Sequence, residues 1–267
     1  RSLGRIEIIP MKITFLGTGT SQGVPPIGCK CEVCLSQDFK DKRLRASIHI
    51  EWEGESLVVD SGPDFRYQMM RAGIEKIDAL LFTHEHRDHT AGLDDIRPFN
   101  FKQASKMPVY LHQRVFQSFQ NQFDYIFQPV PYPGIPQIDW RLINGDFSTP
   151  ANHPVSTVEV MHYKLPVMGF VFNKFAYVTD ANFISETEKK KLMGMDVLVL
   201  NALRREEHIS LFTLAEATAL AIELGAKQTY FTHMSHQMGL HEDVCAELPN
   251  GIDLAYDGLV IELDDRQ

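Results

Sequence analysis

The chain has 267 residues, 44% of them hydrophobic and 23% charged, the balance of a globular protein with a sizeable core. Its formal net charge of -9 repels phosphate backbones at long range, so nucleic acid is an unfavoured partner, though a local cationic site stays open. No apolar run approaches the ~18 residues of a membrane span and no secretory signal opens the chain, so the expected location is the cytoplasm, with no membrane partner. No linker, low-complexity tract or repeat divides the sequence. Residues 11–267 read as one domain, and residues 1–10 as an N-terminal extension or cloning remnant, because Met11 opens a strand pattern.

Residues 12–16 alternate polar and apolar side chains and run into Gly17-Thr18-Gly19-Thr20-Ser21, a strand followed by a turn. Residues 46–52 and 57–62 flank the turn Glu53-Gly54-Glu55-Ser56, which predicts an antiparallel hairpin ending at Asp60-Ser61-Gly62. Residues 67–73 are predicted helical, and residues 79–83 form a buried strand that delivers the chain into a loop, His84-Glu85-His86-Arg87-Asp88-His89. Strands follow at 108–111, 157–161, 169–172, 175–179 and 197–201, a helix at 213–224, a strand at 228–232, and a closing apolar segment at 255–261. Residues 100–146 are expected to contribute to a pocket rim, their aromatics Phe101, Phe119, Phe123, Tyr125 and Phe127 serving mostly as core. Many short strands with interspersed helices predict an α/β fold, an αββα sandwich of two sheets with helices on the outer faces.

Four strands end in a metal-capable side chain: His84, His162, Asp180 and His233. Residues 84–89 hold three imidazoles and two carboxylates, a density that packing does not require and a metal does. Imidazole with carboxylate suits zinc, manganese or iron, and the alternation lets His84 and His86 reach one ion while Asp88 and His89 turn to a second. Upstream, Cys29, Cys31 and Cys34 are spaced C-x-C-x-x-C, too tight for a disulfide framework and suited to one structural zinc that needs a fourth ligand.

Thr83 to His89 followed by Gly92 resembles the H-x-H-x-D-H signature of the metallo-β-lactamase superfamily, and the resemblance covers nearly the whole chain. It implies two mixed β-sheets flanked by helices, with His84, His86 and His162 on one divalent ion (zinc or manganese), Asp88, His89 and His233 on the other, and Asp180 bridging. It places Asp60 beneath the metals as a supporting residue and gives Asp88 a catalytic part. His153 is a rival to His162, but it sits in the turn-like Pro150-Ala151-Asn152-His153-Pro154. Two such ions about 3.5–4 Å apart hold a bridging hydroxide at neutral pH.

The cysteine cluster behind Gly17 to Gly23 resembles the PhnP-like phosphodiesterase branch of this superfamily, and PqqB-like proteins share a similar cluster. The PhnP-like pattern maps the fourth zinc ligand onto His236, with His241 and Cys245 as competitors. Glu206-Glu207-His208-Ile209-Ser210 resembles the H-x-S/T segment of PhnP-like and tRNase Z-like enzymes, in which the histidine faces phosphate; otherwise His208 reads as a surface histidine beside a helix. The implied function is hydrolysis of a small phosphodiester, a cyclic ribose phosphate among the candidates, with His208 as general acid. The alternatives are a tRNase Z-like ribonuclease, another hydrolase of the fold, and a non-catalytic PqqB-like metal-binding protein. The ribonuclease is disfavoured because only about eighteen residues separate His162 from Asp180, where the tRNA-gripping arm would be inserted. The partner is then a small-molecule phosphodiester, with a homodimer left open.

Overall fold

The computed structural model describes residues 10–129 and 134–263, so residues 1–9 of the proposed N-terminal extension lie outside it. The first sheet orders its strands β15-β1-β2-β3-β4-β5-β6. These are β1 (Met11–Gly17), β2 (Ser47–Trp52), β3 (Glu55–Val59), β4 (Ala79–Leu81), β5 (Met107–His112), β6 (Ile138–Ile143) and β15 (Val260–Leu263). The second sheet is eight-stranded: β11-β8-β9-β10-β12-β13-β14, with β7 paired to β8. Its members are β7 (Phe147–Ser148), β8 (Pro154–His162), β9 (Leu165–Phe172), β10 (Phe175–Tyr177), β11 (Phe183–Ile184), β12 (Val197–Asn201), β13 (Gln228–Thr232) and β14 (Ile252–Leu254).

Side-chain alternation places the layers. Leu57 and Val59 of β3 join Ile13, Phe15 and Ile50 in a core shared with Phe170, Tyr177 and Val199 of the other sheet, so this core lies between the sheets. Val58 points the opposite way, toward Phe65, Met69, Phe99 and Phe119, which come from the helices α2 (Phe65–Ala72), α4 (Arg97–Gln103) and α5 (Gln113–Gln122). On the far side, Leu198 and Leu200 of β12 meet Leu192, Leu214, Leu220 and Val244 from α6 (Glu186–Leu192), α7 (Leu214–Leu224) and α8 (His241–Glu247). The result is an αββα sandwich whose central strands are buried on both faces, which accounts for continuous apolar runs such as Val197-Leu198-Val199-Leu200.

Both sheets are mixed. Strands β3, β4, β5 and β6 run parallel, as do β10, β12, β13 and β14. Chemistry gathers where parallel strands end at a common edge, and Asp60, His84, Asp180, Asn201 and His233 all occupy such ends.

The predicted hairpin is present as β2–β3, and helix α7 is bounded by a Thr213–Glu216 capping box and a left-handed Gly225. Three regions differ from the reading of the sequence. Residues 87–90 wind into one helical turn, α3 (Arg87–Thr90), rather than continuing as loop. The closing segment is split, because residues 255–259 cross from β14 in one sheet to β15 in the other. The expected rim at 100–146 carries β5, α5 and β6; Phe119 and Phe123 are core, as expected of these aromatics, whereas Phe101 is exposed. No described helix is long and apolar enough to cross a membrane.

Candidate metal centre

Asp60, Asp180 and His233 have φ values of +64°, +56° and +59°. Left-handed backbone at non-glycine residues costs on the order of 1–3 kcal/mol each and gathers at functional sites. Here the chain turns sharply just beyond each strand, one residue past β3 and β13 and three past β10, at the residue whose side chain reaches the site. The Asp60 turn packs directly under the histidine segment: Ser61 N donates to His89 O at 2.8 Å and Gly92 N donates to Ser61 O at 2.8 Å. A Cβ on Gly62 would lie 2.1 Å from the Asp88 carbonyl oxygen, and one on Gly92 would lie 2.2 Å from the Gly62 carbonyl oxygen. Glycine is required at both positions by backbone contact.

Asp60 is fully buried and accepts three bonds: from Thr83 N at 2.9 Å, Thr83 Oγ1 at 2.8 Å and His89 Nδ1 at 2.7 Å. That holds a proton on His89 Nδ1 and makes Nε2 the nitrogen that can ligate once its own proton is displaced. His162 is oriented in the same way, its Nδ1 donating to the Ser210 carbonyl at 2.8 Å. His84 Nδ1 lies 3.0 Å from Thr83 Oγ1. The buried Nε2 atoms of His84 and His89 have no hydrogen-bond partner.

The open nitrogens converge with carboxylates. His89 Nε2 lies 3.3 Å from Asp88 Oδ2 and 3.2 Å from Asp180 Oδ2, and His233 Nε2 lies 3.4 Å from Asp88 Oδ2 and 3.3 Å from Asp180 Oδ1. Charge-assisted hydrogen bonds run about 2.7–2.9 Å, whereas donors about 2.0–2.1 Å from one tetrahedral ion stand roughly 3.3–3.4 Å apart. The spacing is that of a ligand shell, and the orphaned imidazole nitrogens fit a metal. A second group brings His84 together with His89 and Asp180. The rings of His84, His86 and His162 are set more widely, with centroids 4.6, 5.2 and 6.0 Å apart. Asp180 thus adjoins His84 as well as His89 and His233, while the His84 ring lies closer to His89 (4.3 Å) than to His162 (6.0 Å). His153 is elsewhere, stacked on Trp52 with ring centroids 4.4 Å apart.

Electrostatics match these positions. Burial pushes the Asp180 and Asp88 carboxyls up, but neighbouring His89 and His233 outweigh it and hold both well below the usual carboxylate range. Burial, reinforced by the charge of His89, keeps His84 neutral. His89 is itself pushed up, because Asp88, Asp180 and Asp60 overcome its desolvation. A cation entering here displaces protons rather than stripping a neutral site.

Cys29, Cys31, Cys34 and His236 form a separate group of donors, with His236 Nδ1 3.3 Å from both Cys29 Sγ and Cys31 Sγ. The hydrogen bond from His236 is the largest influence pulling the Cys31 thiol down to about 6, while burial and the neighbouring thiols push Cys34 up to about 12. Tetrahedral zinc with bonds of about 2.3 Å to sulfur and about 2.0 Å to nitrogen sets such pairs roughly 3.5 Å apart. The competitors face elsewhere: His241 Nδ1 contacts Arg43 at 3.2 Å, and Cys245 lies 3.7 Å from His241 Nε2. The helical turn α1 (Glu32–Leu35) follows Cys31 and carries Cys34, and the backbone pairs Thr20 N to Met234 O (2.9 Å) and Met234 N to Thr18 O (2.9 Å) tie the preceding segment to the His233 strand end.

His208 is exposed, and its Nδ1 lies 3.3 Å from Ser210 Oγ and 3.4 Å from Ser210 N. Burial first, then the charges of Arg204 and His233, lower its pKa below the ordinary histidine value. Several supporting residues carry no motif. Asn201 clamps the turn after Asp180 through both backbone atoms of Ala181, at 2.7 and 2.9 Å. Arg114 joins Glu85 of the histidine segment, at 3.0 Å, to the Pro166 carbonyl beside the His162 hairpin. A polar residue at a strand end was the only sequence signal for Asn201, and none marked Arg114.

A family model described as the β-lactamase superfamily domain matches residues 55–234, and the chain belongs to that superfamily, with the metallo-β-lactamase fold. Among solved structures, a diphosphatase from the PhnP family superposes with a TM-score of 0.89 at 38% identity, covering 96% of this chain and 98% of that one. Zinc-bound PqqB from Methylobacterium extorquens shares the fold at a TM-score of 0.76 and 18% identity, covering 94% of this chain and 100% of that one. Among curated proteins, an octanoyltransferase of Porphyromonas gingivalis is 37% identical over 259 residues, which are 96% of this chain and 52% of that protein. The chain therefore spans about half the length of that relative.

Proposed function

We propose that this chain is a metal-dependent hydrolase of small phosphodiesters. The carrying observation is the shell-spaced set of Asp88, His89, Asp180 and His233, with tautomers committed by Asp60 and Ser210. Likeness to a diphosphatase over 98% of its length directs that centre to phosphorus. In this reading His84, His86 and His162 would hold one divalent ion (zinc or manganese) and Asp88, His89 and His233 a second, with Asp180 available to either. Bound ions supply an activated water at neutral pH and neutralise charge on the phosphoryl oxygens. Cys29, Cys31, Cys34 and His236 hold a structural zinc with no open position.

The protein's own groups do the rest. Asp60 and the Ser210 carbonyl keep protons on the outer nitrogens of His89 and His162, so the inner nitrogens stay available. His208, its pKa lowered while the site is empty of substrate, is raised toward protonation by an arriving phosphate anion, and its Nε2 then donates to the leaving oxygen. Residues 163–179 are taken up by the turns and strands of β9 and β10, which leaves no arm to grip tRNA. With the acidic net charge, this supports a small substrate over a ribonuclease role, despite 24% identity to a ribonuclease Z of Methanococcus maripaludis over 192 residues. The octanoyltransferase name is not carried over, because about half of that protein lies outside the match.

A second reading, cleavage of a diphosphate diester, is favoured by the diphosphatase likeness alone. Metal-replete protein assayed on a cyclic ribose phosphate, bis-p-nitrophenyl phosphate and ADP-ribose separates the two. Turnover of the first two, lost in Asp88→Asn, is expected. Turnover of ADP-ribose alone establishes the second reading, and full metal content with no turnover makes the chain a binding protein.

A further inference from the structure

The turn between β8 and β9 is a two-residue loop, since His162 pairs with Leu165 and only Tyr163 and Lys164 lie between. Tyr163 has a φ of +58° at its first position, where glycine is favoured. The other tight loop of this sheet, between Phe172 and Phe175, puts Asn173 at the equivalent place with a φ of +52°, a residue type that tolerates this backbone. A tyrosine there is strained and is held from outside. Tyr163 N donates to Asn182 Oδ1 at 2.7 Å, and the same side chain donates from Nδ2 to the Ile209 carbonyl at 3.2 Å. Asn182 therefore fixes two rim segments together, and each displays a large side chain: Tyr163 is 51% exposed and Ile209 69%.

Between them opens a cavity of about 420 Å³ that runs from the rings of His86 and His162 out to Tyr163, Leu165 and Ile209. That volume lies within the ~300–1,000 Å³ range of small-molecule sites. With phosphorus at the histidine end, the outer part receives the group esterified to the phosphate. Its walls offer one aromatic face and two aliphatic side chains, with the Lys164 ammonium 5.2 Å from the Tyr163 ring centroid. Walls of this kind suit a flat apolar ring, and the Lys164 ammonium on the same loop is complementary in charge to a phosphate.

We propose that Tyr163 and Ile209 form the subsite for a nucleobase, so that the substrate is a nucleotide-type phosphodiester or diphosphate. This rests on the assignment of the His/Asp centre to phosphorus. The test is calorimetric binding of AMP and of ribose 5-phosphate, which differ by the base, to zinc-replete protein. Base–aromatic stacking predicts that AMP binds on the order of 10-fold more tightly or better. Tyr163→Ala erases that difference and Tyr163→Phe keeps it, with thermal stability and zinc content followed in both to confirm folding. Equal affinity for the two probes in wild type, or a preference for AMP that survives in Tyr163→Ala, overturns the subsite. So does octyl phosphate binding more tightly than AMP, which makes the groove an acyl-chain site. Turnover is scored on the same samples: hydrolysis without discrimination sinks the subsite alone, and discrimination without hydrolysis sinks the catalytic reading alone.

Discussion

Asp60→Asn tests the orientation of the donor shell without altering its shape. Asparagine tolerates the +64° φ as aspartate does, and its amide oxygen can still accept from Thr83 N, now at 2.9 Å. The amide nitrogen falls where Oδ2 accepts from Thr83 Oγ1 and His89 Nδ1 at 2.8 and 2.7 Å. Thr83 can rotate its hydroxyl to accept instead, but His89 can respond only by moving its proton to Nε2, the nitrogen facing Asp88 and Asp180. A protonated Nε2 cannot ligate. Loss of such an orienting partner typically weakens metal binding 10–100-fold, about 1.4–2.7 kcal/mol. Withdrawing the acceptor that Thr83 Oγ1 and His89 Nδ1 share in a fully buried place costs a further ~1–3 kcal/mol of stability, or about 2–4 °C of Tm per kcal/mol. Zinc titration against a competing chelator, with calorimetry on the same samples, measures both. One zinc per chain should remain tightly held, in the cysteine clip. Wild-type affinity at the His/Asp centre alongside a lowered Tm would refute the tautomer argument.

Other outcomes follow from the same geometry. His236→Ala, which removes the nitrogen 3.3 Å from two sulfurs, should release one zinc per chain and lower Tm, as read by metal analysis and thermal unfolding; normal zinc content would hand the fourth position to another residue. His208→Ala should slow substrates with alkoxide leaving groups by about 10²–10⁴-fold and p-nitrophenyl esters far less; equal losses across a leaving-group series would make His208 a phosphate-positioning residue. Burial holds the His49 imidazole down to about 4, below its ordinary value near 6.5. The unfolded chain therefore takes up this proton first, so stability is full above pH 6.5 and falls as pH drops toward 4. Denaturant titrations across that window should show a shallower decline in His49→Gln; an identical slope would remove His49 from the account.

How much of this was legible differs by region for physical reasons. Strands 197–201 and 228–232 match the observed β12 and β13, the first because a continuous apolar run has few other uses in a sheet buried on both faces, the second because its Thr, Tyr and Phe are residues that favour strands. The donors were visible because their types are chemically conspicuous at strand ends. Helix α5 was not read from its sequence, since Gln113-Arg114-Val115-Phe116-Gln117-Ser118-Phe119-Gln120-Asn121-Gln122 shows only a narrow apolar stripe among polar residues. Helix α4 begins with Arg97-Pro98, a proline suited to a first turn but easily taken for a breaker. Backbone-mediated features left no trace at all. Nothing in residue identity says that the Ser210 carbonyl orients His162, that Gly62 lies against Asp88, or that Arg114 reaches the far side of a hairpin.

The left-handed backbone at Asp60, Asp180 and His233 also bears on how these strand ends could change in descent. Glycine would relax each of these positions, whereas asparagine in place of aspartate would change little, since the two tolerate this backbone alike. Glycine at Asp180 or His233 would also withdraw a side chain that its neighbours hold, because the Asp180 carboxylate and the His233 imidazole face each other 3.3 Å apart. Backbone strain and side-chain attraction are therefore set against each other along this edge. Glycine at either position, in a relative that otherwise keeps both sheets and all three cores, would mark a strand end that no longer has to aim a donor.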